Sequence, residues 1–354
     1  MNKRHYIIPI FVPHEGCPHN CVFCNQNTIT GNSNLVNGEF VINIVEEYLK
    51  TIDREKSIIE ISFFGGTFTA INIDKQKELL SVAKSYKDRG KIDFIRLSTR
   101  PDYIDEFILD NLKTYGVDII ELGVQSMDDN VLKLSGRGHD YRDVFKASKL
   151  IKKYNFLLGH QIMPGLPGSN FEKDIYTARE VIKLKPDICR IYPALVIRDT
   201  PMEKMYISNT YNPYTLDKAV EVCKKIYGMM YVNNINVIRI GLQPTEEINI
   251  GKELIAGPFH PAFRELVQGS IYNDMILSVI PKQYKGVVFI EVNNKDISKL
   301  YANKKEYFNA MKVKNPNCIF KVSQNINIPL ENINIKFNDK LKSLSMYNYF
   351  LQHS

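Results

Sequence analysis

Between residue 5 and about residue 242, short runs of β-branched and aromatic residues alternate with longer stretches whose apolar positions recur every three or four residues. The runs His5–Val12, Ile58–Phe64, Asp93–Ser98, Asp118–Val124, Phe156–Met163, Ile188–Pro193 and Asn236–Ile240 are predicted strands. The stretches 39–52, 74–88, 103–115, 141–154, 170–183 and 215–233 are predicted helices. Such alternation is what parallel strands with crossover helices require, and about six units fall short of the eight of a closed barrel. The expected fold class is α/β, a partial (β/α)6 TIM-like barrel with a small C-terminal α/β extension.

Beyond about residue 245 the alternation loosens. From Lys282 onward the segments GVVFIEVNN, ISKLYANKKEYFNAMK and CIFKVSQ read as strand, helix and strand. We therefore expect a barrel domain over 1–245 and an extension over 246–354. Nearly every polar or glycine-bearing motif follows a predicted strand directly, which is where barrel folds gather their chemistry.

A chain of 354 residues with 44% hydrophobic composition can bury a large core. Its 46 basic and 39 acidic residues give a net charge of +7, which read as dispersed along the chain hints at a polyanionic partner without localising it. The apolar run near the N-terminus is short and contains Pro9, too little for a signal-peptide core or a membrane span, so a cytoplasmic protein with no membrane partner is expected.

Three of the six cysteines fall within eight positions, in GCPHNCVFCNQ after the first strand, whereas Cys189, Cys223 and Cys318 are scattered. The C-x3-C-x2-C spacing of Cys17, Cys21 and Cys24 lets one loop wrap a compact cluster. Three thiolates serve three irons, so a four-iron cluster would keep one iron open to a further ligand. A structural zinc site completed by His19 or His14 is the alternative, although zinc loops usually come as two separated pairs.

With Phe23 just before its last cysteine, this triplet resembles the signature of the radical S-adenosylmethionine (SAM) superfamily. The resemblance implies an enzyme with a 4Fe-4S cluster on Cys17, Cys21 and Cys24, with SAM chelated to the open iron. It further implies reductive cleavage to a hydrogen-abstracting 5′-deoxyadenosyl radical and an electron donor such as flavodoxin or ferredoxin. In FFGGTFT, Gly65, Gly66 and Thr67 match the glycine-rich segment that receives the methionine amino group. Relatives often carry an acidic residue where LSTRPD places Ser98, the candidate ribose contact. Gln125, in GVQS, matches a glutamine that hydrogen-bonds SAM. Arg137, between two glycines in GRGH, suits an anion such as the methionine carboxylate, and Gln161 lies near the end of the fifth strand. Arg100, at a strand-to-helix turn, could meet a carboxylate or phosphate. His160 reads as a buried structural histidine, and Tyr192 with the loop Arg198–Thr200 as part of the rim.

Taken in order, GGTFT, STRPD, ELGVQS, GRGH, HQIMPGLPGS and IYPALVIRDT resemble the radical domain of the Elongator catalytic subunit over roughly residues 5 to 243. GPFHPAFRELVQGSIY resembles the extension of bacterial Elongator-like proteins, and no acetyltransferase domain is expected. Three functions stay open: modification of tRNA or other RNA, a radical reaction on a small metabolite or peptide, and a non-catalytic cluster-bearing interaction protein.

Overall fold

The computed structural model describes residues 3–12, 17, 19–25, 36–242 and 252–353. Seven strands form one fully parallel sheet in sequential order: β1 (Arg4–Val12), β2 (Ser57–Gly65), β3 (Phe94–Thr99), β4 (Ile119–Gln125), β5 (Leu157–Ile162), β6 (Ile188–Ile191) and β8 (Asn236–Ile240). The crossovers carry α1 (Gly38–Leu49), α2 (Ile73–Asp88), α3 (Glu106–Thr114), α4 (Asp129–Leu134), α5 (Tyr141–Lys153), α6 (Phe171–Leu184), α7 (Pro201–Ile207) and α8 (Leu216–Val232). This is the expected partial barrel. Ile8, Ile10, Ile59, Ile61, Ile95, Leu97, Ile120 and Leu122 point outward to bury the helices' apolar stripes. Helices α4 and α7 were absent from the sequence reading because six and seven residues are too few to display a helical period.

Alternate positions face the barrel interior, and there the strands are charged. Arg96 sits between Glu60 (2.9 Å) and Glu121 (3.4 Å), and Arg190 reaches Glu121 at 2.9 Å while donating to the Tyr192 hydroxyl at 2.9 Å. Burial pushes the Glu60 carboxyl up, but the His5 hydrogen bond, the Arg96 charge and the Ser62 hydroxyl outweigh it and hold it below the usual range. This network joins five strands by side chains alone.

A two-stranded ribbon, β7 (Val196–Ile197) with β9 (Leu254–Ala256), precedes the C-terminal part. That part begins with α9 (Phe263–Val279). Its buried positions include Phe263, Leu266, Val267, Gly269, Ser270, Tyr272 and Asn273, spread around its circumference. The stretch Leu266–Asn273 is buried all round, so the helix shows no clear amphipathic stripe, and the sequence reading missed it for that reason. The strand, helix and strand expected next are β10 (Gly286–Val292), α10 (Ile297–Leu300) running into α11 (Ala302–Lys314), and β11 (Cys318–Gln324). A hairpin, β12 (Asn332–Phe337) with β13 (Lys340–Ser345), completes a sheet of order β11-β10-β12-β13 before α12 (Met346–His353). Asn338 and Asp339 at its turn both have positive φ, as a two-residue hairpin loop requires. The domain boundary expected near residue 245 lies outside the described residues, as does His14.

Candidate active site

The three clustered cysteines follow β1 at the carboxyl end of the sheet. Residues 21–24 close a turn in which the Cys24 N–H donates to the Cys21 carbonyl (3.0 Å). Two neighbours strap this turn down: the Val22 N–H donates to the Ser135 carbonyl (3.0 Å), and the Met202 N–H to the Val22 carbonyl (2.8 Å). Thr200 caps α7 through the Glu203 N–H (3.1 Å) and so sets where Met202 presents its amide. The loop Arg198–Thr200 is thus a strut beneath the cysteines, and Asn25 adds a bond to the Arg198 carbonyl at 3.0 Å.

Two buried arginines converge on Cys21. Arg137 Nη1 lies 3.4 Å from its Sγ and Nη2 donates to the Gly123 carbonyl at 2.6 Å, while Nε has no partner among the described residues. Arg100 grips Asp102 with two bonds of 2.9 Å, places Nη1 4.0 Å from the same sulfur, and donates to the Arg137 carbonyl. Arg100 therefore meets a carboxylate as expected, that of its own turn, and it is buried, not solvated. The GRGH segment can lie this close because Gly138, at φ +73°, would otherwise drive a Cβ to 2.3 Å from the His19 ring. Asp140 begins α5 with a reciprocal capping box to Asp143, which fixes the segment from its other side.

Opposite, β2 delivers its glycines. Gly65 has φ +110°, and a Cβ there would stand 2.4 Å from the Val12 carbonyl. Gly66 follows, and the Thr67 hydroxyl points to Cys17 Sγ at 3.6 Å. Gln125 holds a left-handed φ of 65° at a β4 bulge, an uncommon conformation for a residue with a Cβ, and its Oε1 accepts from Gln161 Nε2 at 3.3 Å. Ser98 sits in register with Glu121 on the inner face. His160 is wholly buried against Ser148 (2.9 Å), apart from these groups. Cys189, Cys223 and Cys318 are buried in β6, α8 and β11.

Burial dominates the electrostatics of the cysteine turn. Burial, then the charges of Cys21 and Cys17, push the Cys24 thiol up to about 12 against the pull of Arg137. Burial and the two arginines push His139 down to about 3, so its ring is neutral. Among the described residues no group of three or more His, Cys, Asp or Glu side chains is arranged to hold a metal ion. Three thiols on one short loop, with two guanidiniums beside Cys21 to offset charge, are the donor chemistry an iron–sulfur cluster would use, one thiolate on each of three irons.

Residues 11–181 match the model of the radical SAM superfamily and residues 186–273 that of the Radical_SAM C-terminal domain. The chain belongs to the radical SAM superfamily. It is an enzyme of that superfamily, and its barrel is the radical SAM fold. It is 29% identical over 264 residues to the tRNA uridine(34) acetyltransferase of Methanocaldococcus jannaschii, covering 63% of this chain and 49% of that protein. It is also 30% identical over 204 residues to Elongator complex protein 3 of Homo sapiens, covering 52% of this chain and 37% of the other. Among solved structures, Elp3 of Methanocaldococcus infernus superposes with a TM-score of 0.62 at 23% identity, over 78% of this chain and 64% of that one. The chain spans about half the length or less of these curated relatives.

The interior ion network escaped the sequence reading. Its signal was present, as one charged residue inside each of four apolar runs: IIEIS, FIRLS, IIELG and ICRIY. No helix among the described residues is long and apolar enough to cross a membrane.

Proposed function

We propose that this radical SAM enzyme carries a 4Fe-4S cluster on Cys17, Cys21 and Cys24 and modifies tRNA, with the barrel as catalytic domain and residues 246–354 as an extension. When bound, the cluster supplies the electron that cleaves SAM into methionine and a hydrogen-abstracting 5′-deoxyadenosyl radical. The observation that carries the reading is the pair of buried guanidiniums on Cys21, a costly arrangement unless thiolate charge gathers there. Arg100 and Arg137 offset that charge, and Thr67 donates toward Cys17. Gly65 and Gly66 leave backbone room for the SAM methionine amino group. Gln125, braced by Gln161, and Ser98 line the interior where the nucleoside half of SAM would lie, and Arg137 would offer a cation to the methionine carboxylate. The RNA substrate rests on the likeness to the uridine(34) acetyltransferase and to Elongator complex protein 3.

The test compares nucleosides from tRNA of a strain lacking this gene with those of strains restored by the wild-type protein or by Cys21→Ala. A modified nucleoside that returns only with the wild type supports the proposal. Identical nucleoside profiles in all three strains contradict the RNA substrate.

A further inference from the structure

The chain's net charge is concentrated in one part of the molecule, contrary to the dispersed distribution expected from the sequence. Residues 282–354 hold twelve lysines against five acidic residues, the entire +7 of the protein, whereas residues 1–281 balance at 34 of each sign. Within 1–281, the barrel (1–245) carries 32 basic and 29 acidic residues and the segment 246–281 offsets that excess with 2 against 5, so the tail is the most strongly basic part of the chain.

The tail's sheet is covered on one face only. Val288, Ile290, Val292, Ile333, Ile335 and Phe337 point into the core, and Phe320 packs on Phe308 of α11. On the other face, the strand register sets Lys321 of β11, Phe289 of β10, Lys336 of β12 and Leu341 of β13 in one row across all four strands. Phe289 is 46% exposed at the middle of the sheet, with Lys321 Nζ 5.5 Å from its ring centre. The next row is Ser323, Glu291, Asn334 and Ser343, where the Ser343 hydroxyl donates to Asn334 at 2.7 Å. Glu291 is the one acidic side chain of the two rows.

An aromatic ring on an open sheet, flanked one strand away on both sides by lysines, offers a stacking surface for a base and cations for the adjoining phosphates. Serine and asparagine beside it can hydrogen-bond base edges. A lipid surface would engage the charge without using the flat ring at the centre, so the combination favours a single-stranded nucleic acid. We propose that the open face of the β10–β13 sheet is a docking platform for an unpaired segment of the RNA substrate. This rests on the reading that the enzyme acts on RNA and adds where the RNA is held.

The experiment measures binding of fluorescently labelled bulk tRNA to the anaerobically reconstituted full chain across a salt series. Phe289→Leu, which keeps an apolar strand residue, is expected to weaken binding about tenfold without lowering the melting temperature. The pair Lys321→Ala with Lys336→Ala should reduce the slope of log affinity against log salt by about 1.4, two single-strand phosphate contacts. The pair Lys312→Ala with Lys314→Ala makes the same charge change on α11, behind the sheet, and should leave the slope nearly unaltered. Equal losses from both pairs, or tRNA binding untouched by the face variants, overturn the platform and leave the proposed function standing. A wild-type protein that fails to bind tRNA even at low salt, or that binds anionic vesicles instead, overturns the platform together with the RNA reading.

Discussion

Arg137 brings together what the two flanking glycines and the cysteine turn make possible: a cation lodged between a sulfur and a β4 carbonyl with no solvent to screen it. Replacing Cys17, Cys21 or Cys24 singly with Ala should abolish the brown iron–sulfur absorption and lower bound iron, whereas Ala at Cys189, Cys223 or Cys318 should leave both intact. Iron determination on the six purified variants checks this, and retained iron in all of the first three would contradict the ligand set. Arg137→Gln should keep the iron but lower the cluster's midpoint potential, because a nearby cation and its N–H···S contact favour the reduced, more negative state. A redox titration followed by electron paramagnetic resonance reads that shift. At this scale the candidate groups were legible as local motifs, since the cysteine spacing and the GRGH glycines lie within short segments. The Arg100–Asp102 pairing is local too, two residues apart. The convergence of Arg100 and Arg137 on Cys21 spans 79 and 116 residues of chain and becomes visible only in three dimensions.

Among the elements, strands were the most legible, because each reads as a short run rich in β-branched and apolar residues. Those same runs concealed Glu60, Arg96, Glu121 and Arg190, whose partners lie on neighbouring strands. Glu121→Gln would leave Arg190 without its carboxylate and Arg96 with Glu60 alone, and should destabilise the fold by about 3–5 kcal/mol, as loss of one partner of a buried pair does. Urea denaturation measures it, and an unchanged midpoint would show that the network is not structural. The α5–β5 contact gives a pH signature. Burial, with a smaller contribution from Lys152, pushes His160 down to about 3 from an ordinary 6.5. Above pH 6.5 both folded and unfolded chains keep this ring neutral and it adds no pH dependence. As pH falls from 6.5 towards 3, the unfolded chain takes up a proton that the folded chain refuses, and stability is lost by on the order of a few kcal/mol. His160→Gln should therefore lose less stability than the wild type between pH 7.5 and pH 5. Parallel urea midpoints for the two proteins across that range would contradict the assignment.

For the whole molecule, the tail 282–354 carries twelve lysines against five acidic residues, a far stronger basic excess than the barrel's. The partial barrel was readable in outline from alternation alone, whereas α9, buried all round over Leu266–Asn273, and the β12–β13 hairpin, turned at Asn338 and Asp339, were not. The central claim is that this chain cleaves SAM through a cluster held by Cys17, Cys21 and Cys24. It is tested most directly by reconstituting the full chain with iron and sulfide under anaerobic conditions, adding SAM and dithionite, and quantifying 5′-deoxyadenosine by liquid chromatography. The account predicts 5′-deoxyadenosine from the wild type and none from Cys21→Ala. A wild-type protein that holds its full iron complement and forms none would contradict it.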